Sequence, residues 1–194
     1  MSPLASHNHI VWSYFDIARK IAQEAAGSAS DSDRRSKSAV SVLMVVAAVE
    51  AYINIFGRMW VEQEPDFIHA REIVKDLSTR KPITHKIKSW PQLFFKKSLD
   101  LSGGIGQEFL ELIGKRNHLM HFTSDYHTFQ FESMTIKGLI DITVFDALAP
   151  KDAEEAIYIA EGFIEAWIRL QGFEENHVRS TTASWTGNVM RYAV

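Results

Sequence analysis

The stretch AVSVLMVVAAVEAYINIF, residues 39–56, decides the fold. It is apolar on most sides, so a helix built from it has no face to turn toward water. Such a helix lies at the centre of a protein or inside a bilayer. Glu50 and Asn54 interrupt the run in its second half, and a carboxylate at that depth is costly in lipid. The stretch is therefore expected to be the core helix of a helical protein, with no membrane partner.

The segments around it have helical periodicity. Residues 9–27 place Ile10, Tyr14, Ile17, Ala18 and Ile21 on one stripe, and Gly27 closes the helix. Residues 28–37 read as a polar loop with Asp31 or Asp33 as N-cap of the core helix. That helix should run to about Val61 and stop at Pro65. A short amphipathic helix over 66–78 follows, then a basic segment broken into helical pieces by Pro82 and Pro91. The next long helix spans 104–122, with Phe109, Leu110, Ile113 and Met120 buried. Alternation and β-branched residues give 123–148 the look of an irregular insertion or a short β-hairpin. Pro150 suits the first turn of a last helix over 151–172, which carries acids at its start and Arg169 near its end.

The expected fold is thus all-α: an antiparallel bundle of four to five main helices over residues 1–172. Residues 173–194 form a C-terminal extension, either loosely ordered or docked on a neighbour through Trp185, Met190 and Tyr192.

The chain of 194 residues is 46% hydrophobic and 23% charged, an ordinary globular composition. It has no cysteine, which excludes disulfides, thiol nucleophiles and thiolate metal sites. Residues 1–12 lack a basic start followed by an apolar run, so no secretory leader is expected and a cytoplasmic setting is. The net charge of −3 argues against general nucleic-acid affinity, but it hides a pattern. Residues 80–97 hold Arg80, Lys81, Lys86, Lys88, Lys96 and Lys97 and no acid. They read either as a solvated basic face or as a surface that tracks phosphates.

Chemistry concentrates in KRNHLMHF, residues 115–122. On a helix Asn117 and His121 share a face, and His118 and His121 are neighbours. The long side chain of Arg116 reaches the same edge. One use of such an edge is a metal site of His118, His121 and His127, although Arg116 beside a divalent cation is unfavourable. The other is phosphodiester cleavage without metal or cofactor. RNA carries its own nucleophile in the 2′-hydroxyl. Histidine can take or give the proton, arginine offers a charged fork to phosphate oxygens, and asparagine can bond the phosphate or orient the imidazole. A third reading is structural: the helix dipole favours histidine near a C-terminus.

The run Arg116-Asn117-His118-Leu119-Met120-His121 resembles the R-x4-6-H motif of HEPN domains. AAVEAYIN, residues 47–54, is similar to the central helix of that family, where a Glu and an Asn interrupt an apolar run. The order agrees over residues 9–172: apolar helix, variable basic middle, motif late in the next long helix, closing helix. The resemblance implies a helical bundle and a metal-independent endoribonuclease acting on single-stranded RNA or tRNA loops. It also implies a homodimer with a composite active site, and a toxin or phage-defence role with an antitoxin protein as partner. Carried over, Arg116 stabilises the phosphorane, His121 is the acid/base, and Asn117 orients the phosphate or His121. Glu50 and Asn54 support them, Glu50 by pairing with Arg116, and His118 is a supporting group. The competing readings are a non-catalytic helical module that binds a partner protein and the histidine-ligated metal bundle.

Overall fold

The computed structural model describes residues 7–64, 66–120, 127–131, 134–139 and 142–192, with backbone alone for 127–131 and 134–139. The protein is all-α in character. Helices α1 (His9–Gly27) and α2 (Asp31–Gln63) are joined by three residues, 28–30, and pack lengthwise against each other. Then come α3 (Ala70–Ser78), α4 (Ile83–Phe95) and α5 (Gly104–Met120). A two-stranded antiparallel hairpin follows, β1 (His127–Phe131) with β2 (Met134–Leu139), in which Phe129 pairs with Ile136. The chain closes with α6 (Thr143–Asp146), α7 (Pro150–Arg169), α8 (Glu175–Thr186) and α9 (Val189–Tyr192).

The core helix α2 packs against α1, α3, α5 and α7. Val42, Val45, Val46, Val49, Tyr52 and Ile53 are all buried. Among the described residues it is the one helix long and apolar enough to cross a membrane, and half of its apolar window is covered by its neighbours. Its start lies earlier than the sequence suggests. The N-cap is Ser30, whose Oγ accepts from the Asp33 N–H, and Asp31 and Asp33 sit in the first turn, where they complement the dipole. The expected loop of 28–37 therefore shrinks to 28–30.

Helix α1 buries a different stripe from the expected one. Val11, Phe15, Ala18, Ala22 and Ala25 face the core, while Ile10 and Ile17 remain exposed. The reason is close packing. Three alanines let α1 approach α2 until Ser41 Oγ donates to the Ala18 carbonyl at 3.1 Å. A rule that seeks large side chains misses a face built from small ones. In α5, Phe109 and Ile113 are buried as expected, but Met120 is exposed.

Pro91 does not break α4. It lies inside the helix and is buried. Trp90 beside it packs so close to α2 that a Cβ on Gly57 would lie 2.5 Å from the indole ring. Phe56, Trp60, Phe67, Phe94 and Trp167 surround this junction with edge-on and stacked rings. Fully burying a side chain of the size of Trp90 or Trp167, both 0% exposed, contributes about 1.5–3 kcal/mol or more.

The extension beyond 172 docks on the bundle. Val178, Thr182 and Thr186 are buried, and Trp185 meets Tyr52 edge-on at 4.9 Å. Met190 does not dock, and the side chain of Tyr192 lies outside the described residues. The fastening is polar. Glu161 of α7, 1% exposed, accepts from Arg19 at 3.0 Å, Arg191 at 2.8 Å and Asn188 at 3.0 Å. Arg19 also donates to the Thr186 carbonyl. This cluster ties α1, α7 and the extension together.

Candidate functional site

The last turns of α5 distribute their side chains by the 100° step of a helix. Lys115 turns to α7 and donates to Asp152 at 2.9 Å. Burial raises the Asp152 carboxyl, but hydrogen bonds from Lys115 and the Ala149 N–H, with the charges of Lys115 and Lys151, outweigh it and hold it below the ordinary value.

Arg116 turns to α2. Its guanidinium lies 3.7 Å from Glu50 Oε2, with the side chains 23% and 39% exposed. That distance is ionic contact without a hydrogen bond. Arg116 Nε is buried and has no hydrogen-bond partner among the described residues. The loose contact with Glu50 leaves the partly exposed end of the guanidinium able to turn to another acceptor. Asn117 and His118 are exposed on the outer side. His118 Nδ1 lies 2.8 Å from the Gly114 carbonyl. A carbonyl can only accept, so Nδ1 is the donor in this contact and Nε2 is left facing outward. His121 lies outside the described residues.

Glu50 begins a column on α2 with a period of four: Glu50, Asn54, Arg58 and Glu62. The column lines a cavity of about 580 Å³ with Arg80, Lys81 and Lys86 on its other wall. Asn54 does not reach Arg116 in this arrangement. Its Oδ1 accepts from Lys86 Nζ at 2.6 Å. Lys86 departs from the expected phosphate-tracking surface: it is 3% exposed, with its ammonium 5.6 Å from the Trp90 ring. Burial lowers its pKa, while the charges of Glu50 and Asp76 act in the opposite sense. The reason is that α4 has an inner face, and Lys86 lies on it between Ile83, Ile87 and Trp90.

The other five cations of 80–97 are exposed. Arg80 and Lys81 are held by the end of α3. The Lys81 N–H bonds to the Asp76 carbonyl and the Arg80 N–H to the Leu77 carbonyl, with Arg80 at φ 52°. This is a Schellman closure with arginine in the left-handed position that usually falls to glycine. An L-residue costs about 1–2 kcal/mol there. Lys96 and Lys97 lie at the far end of α4, about 20 Å away by helical rise, and Lys97 caps the Leu170 carbonyl of α7. Five of the six cations are therefore divided between two places, and Lys88 lies exposed between them on α4.

Two features escaped the sequence. One is Arg58, which the period-four column from Glu50 would have revealed. The other is buried Asp76, which accepts from Trp90 Nε1 at 3.0 Å and lies 3.1 Å from His85 Nε2. No local spacing marks that pair. Among the described residues no three His, Asp or Glu side chains gather as metal ligands. The alternative set of His118, His121 and His127 includes two side chains outside those described. No family model, curated protein or solved structure matches this chain.

Proposed function

We propose that the protein is a metal-independent endoribonuclease of HEPN type, cleaving single-stranded RNA or tRNA loops. The observation that carries the reading is the contact of Arg116 with Glu50 across α5 and α2, with Arg116 Nε left unpaired. The resemblance implies this pairing, and it supplies a reason for a carboxylate in the core helix.

In the proposed reaction the 2′-hydroxyl attacks the adjacent phosphorus and the 5′-oxygen leaves with a proton, giving a 2′,3′-cyclic phosphate. Arg116 places its charged fork on the equatorial oxygens, where charge develops in the transition state. His121 transfers protons, and Asn117, exposed one residue from Arg116, orients the phosphate or His121. Glu50 lies near enough to keep the fork aligned and far enough to release it to phosphate. Two copies of the chain bring two such edges together in a composite site. Arg80, Lys81 and Lys88, all exposed, hold the RNA backbone. An antitoxin protein is the proposed regulator in a toxin or phage-defence role.

The test is cleavage of total RNA and tRNA in EDTA by wild type, Arg116→Ala and His121→Ala. Cyclic-phosphate ends from the wild type alone are expected, and cleavage by both variants would sink the reading. Cleavage should also fall steeply as salt rises. The second reading, a helical module that binds a partner protein, draws on the outer face of α1, where Ile10 and Ile17 are each about two-fifths exposed. It predicts a stable hetero-complex and no cleavage at any pH.

A further inference from the structure

We infer that Lys86 is a positioning residue for the Arg116 edge: it draws on Glu50 from α4 and so holds the Glu50–Arg116 contact open for phosphate. The inference rests on the nuclease reading of that edge and adds a control on it. Lys86 itself touches no substrate.

The first argument is place. Asn54 follows Glu50 by one turn of α2, and its Oδ1 accepts from Lys86 Nζ at 2.6 Å. Residues four apart on a helix stand about 5–6 Å apart at Cβ. The ammonium is thus pinned beside Glu50, and both side chains line the same cavity. The negative charges of Glu50 and Asp76 favour the charged form of Lys86.

The second argument is which of these two carboxylates is able to respond. Asp76 accepts from Trp90 Nε1 at 3.0 Å and lies 3.1 Å from His85 Nε2. Glu50 is 39% exposed and is met by Arg116 only at 3.7 Å. A carboxylate near two cations divides its attraction between them. Without the ammonium, the field of Glu50 falls on Arg116 alone, and the pair can close to a charge-assisted hydrogen bond of about 2.7–2.9 Å. A phosphate would then have to break that bond before it reached the arginine.

The third argument is burial. A lysine 3% exposed between Ile83, Ile87 and Trp90 is a poor choice for stability alone. An apolar side chain of similar length fills such a place without desolvating a charge. The charge finds its use on α2, where Asn54 holds it one turn from Glu50.

The experiment compares the full-length wild type with Lys86→Met, Glu50→Gln and the double variant. Lys86→Met should lower kcat for RNA cleavage about tenfold and leave KM within about twofold, because the ammonium acts through Glu50 and not on the substrate. Its melting temperature should hold or rise, since a buried charge gives way to an apolar chain, so the lost rate cannot be ascribed to unfolding. In the Glu50→Gln background there is no carboxylate to release, and adding Lys86→Met should change kcat by less than about twofold. The second readout needs no substrate. It is the Nε–H signal of Arg116 in proton–nitrogen NMR spectra, identified by its loss in Arg116→Ala. That signal should move in Lys86→Met as Glu50 closes on the guanidinium. An unmoved signal, wild-type kcat in Lys86→Met, or a full further tenfold loss in the double variant would overturn the inference while the nuclease reading stands. A wild type that cuts no RNA ends the nuclease reading and this role with it, and the signal then reports the charge sharing as a property of the fold alone.

Discussion

Glu161 and Glu50 are both carboxylates set in apolar helices, and both face arginine, but their surroundings differ. Glu161 is 1% exposed and fully engaged, with Arg19, Arg191 and Asn188 all within 3.0 Å. Glu50 is 39% exposed and stands 3.7 Å from an arginine that keeps a buried donor unpaired. A closed cluster of charges fixes neighbouring elements and leaves nothing for a ligand. An open one adds little to stability and retains capacity for an incoming anion. Carboxylate and arginine in the same core thus form a closed cluster in one place and an open pair in the other.

The largest effect should come from breaking the open pair. Arg116→Ala should lower the rate of RNA cleavage about 10²–10³-fold, the loss seen when a charge-stabilising donor is removed. Its melting temperature should stay near the wild-type value. A fall in stability to match the fall in rate would erase the distinction between the two clusters.

Breaking the closed cluster should do the reverse. Glu161→Ala leaves two arginines without their shared partner. It should cost about 3 kcal/mol, or about 10 °C in melting temperature for a chain of this size. Calorimetry reads this directly, and unchanged melting would show that the extension does not depend on Glu161.

Glu50→Gln sharpens the contrast at smaller scale. A half-exposed pair at ionic distance contributes at most about 1 kcal/mol to stability, so melting should move by a few degrees or less. Cleavage should fall about tenfold, equivalent to about 1.4 kcal/mol of lost alignment.

The smallest effect belongs to Asp152, which holds the residue next to Arg116. Its carboxyl titrates below the ordinary value in the folded chain. Its contribution is therefore present above the unfolded value of about 3.9 and is lost as pH falls through the lower folded value. Asp152→Asn should cost about 1 kcal/mol or less near neutrality. The difference from wild type should close at strongly acid pH in thermal melts.

Legibility in the sequence followed the range of the interactions. Gly27 and Pro150 mark helix ends by local rules, and both helices are bounded there. Ser30, Asp31 and Asp33 are all good caps, and only the turn of the chain selects Ser30. Arg116 and Glu50 were each conspicuous, a cation and an acid in amphipathic and apolar surroundings. Lys86 was not, because a lysine among lysines carries no local sign that it faces inward.

The sequence by itself determined the long helices α1, α2, α5 and α7, the central place of α2 and the two polar interruptions in it, because these depend on periodicity and on the cost of burying charge. The tertiary structure decided which side of each helix is inner and which charges meet. It set α1 on its alanines, turned Lys86 toward Asn54, divided the basic run between two places and folded the extension onto Glu161. These outcomes depend on how closely helices approach and on residues up to 176 positions apart, as with Asn8 and Ser184. Local pattern holds no information at that range, where packing and the pairing of buried charge govern the result.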